Sequence, residues 1–517
     1  MLRCANIVFI AGLVLCLAVS VDGYVDGRDL AARQLMLGVM TLMLLVLVKV
    51  DFGVLKHPVF LAYLAYWLWL TYSICFAVNK GESISRSFSM FNAMLIMLCL
   101  ATLLKKLNIA KVIILTTICL GLYGIYEFSS KSIAVRVGIM DSKNLNAASI
   151  VLLMILCSYY YKEWKIPSLV AIGLSLFVII SLRARSSWLA LFAALIVFAL
   201  SNRKYLIPSL CGLLLLGVIV CKGNDIYNTS SLGQRLEIWK QTAIMIKDYP
   251  AGVGAGNWKL IFPLYAKYSS PETRANINYK IGSNGENKLI GWAHNDFLQE
   301  WSEIGIFGFA SYLLLFILAL YYSRGAIRAG IAGYITFACF TFPSHRAYLW
   351  FLLMIFFALA MKDYKPALIK FKRVYTAGAI ALLVLCVIGF TIKLQTSMKS
   401  VEIYRARNIN WDRVISVTDN LPFLANLDRA GMPLAYYRGV AFLTKRDLDN
   451  SLESFEYARK CSPNHIHILM NLAACYTING EYRRAVECLH RVLTMCPDFI
   501  DAKHNLVTTI KMYKQEV

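Results

Sequence analysis

Acidic residues are in short supply in this chain: 30 Asp and Glu stand against 53 Lys and Arg. Charges of both signs fill only 16% of its 517 positions, while hydrophobic residues fill 58%. A soluble domain of ordinary composition is about a quarter charged, so the shortage excludes that class. With a mean hydropathy of +0.58, the chain reads as an all-α membrane protein. Metal-ligand spacing is missing as well. The 14 cysteines include no CxxC pair. They lie in apolar runs (Cys4, Cys16, Cys75, Cys99, Cys119) or at scattered helical positions near the end (Cys461, Cys475, Cys488, Cys496), as small apolar fillers rather than redox or metal groups. No DxD or clustered carboxylate motif in 1–394 argues for a metal, so neither a metal nor another cofactor is expected. The formal net charge of +23 suits loop topology, anionic lipid headgroups or an anionic substrate, and composition does not choose among them. No nucleic-acid partner is expected.

A crossing of the hydrocarbon core needs about 20 apolar residues. Such windows recur at 4–21, 30–48, 58–78, 87–104, 112–128, 145–161, 166–182, 186–202 and 205–221, and again near 303–322, 327–342, 346–361 and 374–394. Twelve or thirteen transmembrane helices are therefore expected over 1–394, the first of them an uncleaved helix. A polar stretch at 222–302 interrupts the series. Lys and Arg near helix ends are retained in the cytoplasm, and the basic connections, from Lys49 to His57 through Lys362 to Arg373, fall on one side. The 222–302 loop and the C-terminal tail are thus placed outside. Arg136, Lys143, Arg183, Arg185 and Arg235 then lie on the outer face, against the usual bias. Either they are unrelated surface charges, or they converge on an anion such as a diphosphate, whose oxygens match the planar guanidinium fork.

From 395 to the end the composition turns soluble. Pro463 and Pro497 stand 34 residues apart, the tetratricopeptide period, each closing a helix-turn-helix pattern. Gly439, Phe442, Ser451, Phe455 and Ala458 fill the small and aromatic positions of one unit, and Leu472, Ala473, Tyr476, Ala485 and Leu489 those of the next. A last helix from Asp501 to Tyr513 is expected to cap the stack, and 395–431 has no clear register. A generic helical hairpin is the plainer alternative.

The large loop carries the informative motifs: Arg235-Leu-Glu-Ile-Trp239, Tyr249-Pro-Ala-Gly-Val-Gly-Ala-Gly-Asn257-Trp258, and Trp292-Ala-His294-Asn295 running to Gln299, Gly305 and Gly308. Gly252, Gly254 and Gly256 make a turn that approaches a ligand closely, or a plain loop. His294, at the polar edge of a span, suits a base that deprotonates a hydroxyl near neutral pH; it equally suits a helix cap. Asn295 and Gln299, one turn apart, are placed to orient the ring or a sugar. Asp296, Glu300 and Glu303 read first as a complement to the helix dipole, and Gly305 and Gly308 as helix-packing positions. His345 and Arg346, in a Pro-Ser-His-Arg turn, either support the site or simply join two helices.

In this order the motifs resemble the signature of the superfamily of O-antigen ligases, O-antigen polymerases and bacterial O-oligosaccharyltransferases, over roughly 60–362. Two upstream elements agree: the stretch from Arg136 to Asn144 resembles the family's Arg-containing outer loop ending in an Asn, matched by Asn144 or Asn146, and Arg185-Ser-Ser-Trp-Leu resembles its Ser-Arg-x-x-x-Leu element, with Ala184 where the family has Ser. The resemblance implies a type C glycosyltransferase fold in the bacterial inner membrane, with loop and tail periplasmic. It implies metal-independent transfer of an undecaprenyl-pyrophosphate-linked glycan to an acceptor glycolipid, glycan or protein. His294 would be the catalytic base, with Arg185, Arg235 and Arg136 holding the pyrophosphate and Asn144, Gly254, Gly256, Asn295, Gln299, His345 and Arg346 in support. The repeats would offer a surface to a protein partner. A flippase of lipid-linked glycans would want ionisable residues at mid-span and inverted repeats, and a membrane-anchored repeat scaffold would leave the outer arginines and the His294 loop without purpose.

Overall fold

A computed structural model describes residues 4–5, 7–12, 27–48, 50–104, 109–130, 142–201, 229–278, 291–363, 372–407, 409–428 and 431–516. The expected span at 205–221, most of the first span, and Arg136 lie outside the described residues. Every regular element among the described residues is helical, apart from an isolated bridge between Leu427 and Pro433.

Among the described residues, six helices are long and apolar enough to cross a membrane: Pro58–Phe76, Lys80–Leu103, Ala110–Ser130, Lys165–Leu182, Asp296–Tyr322 and Arg373–Ala406. Shorter apolar helices at Ala31–Leu47, Lys143–Tyr159, Arg185–Ser201 and Ala347–Ala360 pack among them. In the central Lys80–Leu103 helix 83% of the apolar window is buried, against 22% in Arg373–Ala406. The second helix leaves most of an apolar surface uncovered, which is intolerable in water but ordinary against lipid. Local signals set the starts: Pro58 occupies the first turn of its helix, where its missing N–H is harmless, and the Asn79 side chain accepts from the Glu82 N–H.

The closely spaced windows at 166–202 resolve into Lys165–Leu182 and Arg185–Ser201, joined through a left-handed Arg183 (φ 48°). Those at 327–361 become Gly325–Ala338 and Ala347–Ala360, joined by a 3-10 turn at Pro343–His345. The last membrane helix does not end near 394. It runs from Lys372 to Ala406, 35 residues, because neither Gly nor Pro interrupts 390–406. At about 1.5 Å per residue this far exceeds the roughly 30 Å of hydrocarbon, so its end stands clear of the membrane and carries the chain into the C-terminal unit.

That unit has its own core, built from the pairs Leu434–Thr444 with Leu448–Cys461 and Ile466–Ile478 with Tyr482–Met495, followed by Ile500–Glu516. The second helices of the two pairs begin at Leu448 and Tyr482, 34 residues apart. Gly439 lies against the Phe455 ring where a Cβ would collide, and Ser451 Oγ donates to the Gly439 carbonyl. Segment 395–431 contributes the end of the long helix and a short one, Trp411–Thr418. The unit is docked on the membrane part. Asn79 Nδ2 donates to Asn426 Oδ1 (3.0 Å) and to the Cys461 carbonyl, Asn464 Nδ2 donates to the Leu260 carbonyl (2.8 Å), and Arg274 pairs with Asp498.

Candidate active site

The site is organised by a break in the Asp296–Tyr322 helix. Gly305 has φ 68° and ψ −175°, which interrupts the helix within its first three turns and frees carbonyls that would otherwise be bonded inside it. The glycine-rich turn satisfies them: Val253 N–H donates to the Ser302 carbonyl (3.1 Å) and Gly254 N–H to that of Glu303 (2.9 Å), while Ile306 N–H returns to Pro250 (3.2 Å). In a bilayer such groups have no water to turn to. Gly252, Gly254 and Gly256 all have positive φ. A Cβ on Gly252 would strike the Glu303 carbonyl, and one on Gly254 would strike Ala77. At Gly252 and Gly254 the close approach is made by the protein itself, whereas a Cβ on Gly256 would meet only ordinary contacts. Gly308 packs on Trp69, while Gly305 is the hinge of the break. Gly252→Ala is expected to destabilise the protein by about 2 kcal/mol or more, read as a lower thermal midpoint in detergent. Gly233→Ala, whose Cβ would meet open space, should not lower it.

Three buried carboxylates follow Asn295 on one side of the broken helix, and each is fully engaged. Asp296 accepts from Ser344 N–H (2.7 Å) and Oγ (2.8 Å), fixing the 343–345 turn. Glu300 accepts from Arg86 (2.5 Å) and from Tyr66 Oη (3.1 Å). Glu303 accepts from Gly256 N–H (2.6 Å) and Gln299 Nε2 (3.1 Å). They are a buried scaffold, more than the solvated dipole complement expected of a helix start. Asn257 belongs to it as well, accepting from Asn79 N–H (2.7 Å) and donating to Ser83 Oγ (2.9 Å).

This frame presents His294. Trp239 Nε1 donates to the Ala293 carbonyl (3.0 Å) and Gln299 Oε1 accepts the Ala293 N–H (3.0 Å). Asn295 caps the helix through the Leu298 N–H (3.1 Å). Between these fixed neighbours His294 takes φ 54°, a left-handed conformation uncommon outside glycine and concentrated at functional sites. Asn295 is engaged with backbone, and Gln299 bridges the Ala293 N–H and the Glu303 carboxylate, so both position the loop. Trp292 stacks on Phe342 (5.3 Å between ring centres), and His294 meets the same ring edge-on (5.2 Å).

The spacing of Arg235-x3-Trp239 puts both residues on one face of the Thr229–Asp248 helix. While Trp239 grips Ala293, Arg235 lies one turn away beside His294. Burial, then the charge of Arg235, pushes the His294 imidazole down to about 4. Burial, then the charge of Arg185, lowers the Arg235 guanidinium below its ordinary value. Arg185 opens the Arg185–Ser201 helix, whose Ser187 hydroxyl donates to the Asn144 carbonyl (3.4 Å). The structure thus brings Arg185, Arg235 and His294 together, with Asn144 at the edge of the group. Neither arginine has a carboxylate partner among the described residues.

His345 and Arg346 lie in the adjacent turn. The His345 ring sits 4.3 Å from that of Trp292, and the Arg346 guanidinium stands 5.4 Å over Phe342. Burial, then the charges of Arg86 and Arg346, holds the His345 imidazole well below its ordinary range. Sequence reasoning missed Arg86, Glu82, Lys259 and Lys393. Lys259 pairs with Glu82 (3.0 Å), and Lys393 Nζ donates to Ser85 Oγ (2.9 Å). The one signal that could have found them was an ionisable residue inside an apolar run, as Lys393 is.

Residues 170–313, which include Arg185, Arg235, the glycine turn, His294 and the helix break, match the family model described as O-antigen ligase. Separately, 71 residues, 14% of the chain, are 31% identical to the peroxisomal targeting signal receptor of Saccharomyces cerevisiae; the match spans 12% of that protein's length. The family match supports a role in glycan transfer within O-antigen or surface polysaccharide processing.

Proposed function

We propose that this protein transfers a glycan from a polyprenyl-pyrophosphate donor to an acceptor hydroxyl at the outer face of the bacterial inner membrane. The observation that carries the reading is the group formed by Arg185, Arg235 and His294. Two guanidiniums held close, neither matched by a carboxylate among the described residues, form a site for an anion, and an uncharged imidazole stands beside them.

In this reading the arginines grip the diphosphate with their planar forks. His294 takes the proton of the acceptor hydroxyl as its oxygen bonds to the anomeric carbon, and the bond from that carbon to the phosphate oxygen breaks. The electron pair leaves with the lipid diphosphate, where the arginines stabilise the charge, so the chemistry calls for no metal. The glycine turn and buried carboxylates hold this geometry, Asn144 is a further contact at its edge, and Arg136 is assigned to the diphosphate on its motif alone. The helix pairs after residue 406 are tetratricopeptide-like repeats on the same outer side, offering a protein-binding face close to the site. An acceptor that is a glycolipid, a glycan or a protein is equally compatible with this chemistry.

The test is release and transfer of glycan from a purified lipid-pyrophosphate oligosaccharide by the protein in detergent or nanodiscs. A base works only when unprotonated, so kcat/KM, which reports the free enzyme, should fall as pH drops through about 4, where His294 titrates. Bound diphosphate offsets the positive field of Arg235, which raises the imidazole, so the acid limb of kcat should lie at higher pH. No transfer by active, folded protein would refute the reading, and coincident acid limbs would refute the coupling to Arg235.

A further inference from the structure

The C-terminal unit meets the membrane part at a seam that is polar where apolar packing alone would have served. Four buried asparagines stand in it, Asn79 and Asn257 on the membrane side and Asn426 and Asn464 on the other. Asn79 Nδ2 reaches across to Asn426 and to the Cys461 carbonyl, and Asn464 Nδ2 to the Leu260 carbonyl. Asn464 is itself held by Arg491 Nη2 (2.6 Å) from the second helix pair. The apolar cluster at the seam is small: Leu260, Leu427 and Cys461. The backbones also come close, since a Cβ on Gly81, in the first turn of the Lys80–Leu103 helix, would strike the Phe423 carbonyl. Apolar surfaces slide on one another, whereas interlocked amides fit in one register.

From the seam an unbroken set of hydrogen bonds leads to the His294 loop. Asn79 N–H donates to Asn257 Oδ1 (2.7 Å), and Leu260 N–H donates to the Asn257 carbonyl (3.0 Å). The two crossings of the seam, at Asn79 and at Leu260, thus arrive at one residue. Asn257 Nδ2 and Ser83 Oγ both donate to the Ala255 carbonyl (3.0 and 2.6 Å). The N–H of the same peptide unit, on Gly256, donates to Glu303 Oε2 (2.6 Å). Glu303 Oε1 accepts from Gln299 Nε2 (3.1 Å), and Gln299 Oε1 accepts the Ala293 N–H (3.0 Å), next to His294. Chains of buried hydrogen bonds like this one carry coupling between distant sites.

We propose that Asn79 is a positioning residue for the transfer reaction, and that through it the seated C-terminal unit holds the His294 loop in its left-handed geometry. This rests on the transfer reading above. The unit is then a working part of the site: where it lifts from the seam, the Ala255–Gly256 peptide loses its fixed backing and the imidazole its register with the acceptor hydroxyl. Helix capping alone asks less of Asn79. Its Oδ1 serves the helix start through the Glu82 N–H, and the Nδ2 contacts across the seam add nothing to that cap.

The test uses the full-length protein with Asn79→Ser and Gly81→Ala, beside Ser451→Ala as a control. Serine caps a helix as asparagine does but is too short to cross the seam. Alanine suits the helix better than glycine and wedges against Phe423. Ser451→Ala removes a hydrogen bond inside the unit, to the Gly439 carbonyl (2.9 Å), and leaves the seam whole. Hydrogen exchange of the 291–299 segment is read by mass spectrometry, and kcat and donor KM are read for glycan transfer. Both seam variants should speed that exchange and lower kcat by about tenfold with donor KM nearly unchanged, since a small misplacement of a reacting group costs rate. The control should do neither. If Asn79→Ser does not fold, Gly81→Ala decides alone. Wild-type exchange and kcat in the folded seam variants, or equal losses in Ser451→Ala, would overturn the proposal and leave the transfer reading intact. If wild type transfers nothing, the transfer reading fails by itself, and exchange of 291–299 in the same variants still decides whether the seam holds the loop.

Discussion

Replacing His294 with alanine is expected to cut kcat for glycan transfer by about 10²- to 10⁴-fold, the usual contribution of a positioned general base, with donor KM nearly unchanged because the arginines remain. The expectation rests on geometry more than on residue type. His294 is half-buried, set in a left-handed backbone between an anchored Ala293 and a helix-capping Asn295, and its depressed pKa keeps it neutral throughout the physiological range. A base that binds no part of the ground-state donor affects the chemical step and not the binding step. His294→Gln, which retains hydrogen bonding without basicity, should be as impaired as the alanine variant. Transfer by His294→Ala within about threefold of wild type would exclude His294 as the general base, whose contribution is far larger.

Arg235→Lys is the second large effect. Counting charge alone, lysine would serve. The loss of a paired, charge-assisted hydrogen bond is worth about 1.5–3 kcal/mol, so kcat/KM should drop by roughly ten- to a hundredfold, and Arg235→Met by more. The helix geometry strengthens the argument. Trp239, one turn further on, is fixed to the Ala293 carbonyl, so the backbone at 235 has little freedom to bring a point charge where a planar fork had reached. Lysine's donors also sit on a single nitrogen and cannot span two phosphate oxygens as the planar guanidinium fork does. Arg235→Lys with wild-type kcat/KM would mean that the diphosphate is not held by this guanidinium.

The two variants separate two jobs that the site brings within one loop. Loss at His294 should appear in kcat, whereas loss at Arg235 should appear in both kcat and donor KM, since the diphosphate is present in the ground state and gains charge as the bond breaks. Burial is the main cause of the low basicity of His294, and the field of Arg235 lowers it further. In Arg235→Met the free-enzyme acid limb should therefore move up from about 4 toward the ordinary histidine range, an independent sign of the proximity found in the structure.

Much of the molecule could be read from the chain. Scarce charge and apolar windows of membrane length determined an all-helical membrane body, because a hydrocarbon solvent leaves the backbone no partner but itself. Arg185, Arg235 and His294 each stand in a short motif that the sequence displays, while their convergence is a matter of tertiary structure. The 34-residue spacing after the last span is a local pattern and marked the helix pairs. Tertiary structure alone decided how these pieces serve one another. The glycine turn, legible as a flexible loop, embraces the break at Gly305, and Asn295 and Gln299 tie down the backbone on either side of His294. The partners that hold the site, Arg86 with Glu300 and Lys393 with Ser85, are 214 and 308 residues apart. Periodicity and spacing carry information over a few turns of helix, whereas a buried charge chooses its partner from whatever the folded bundle brings within hydrogen-bonding distance.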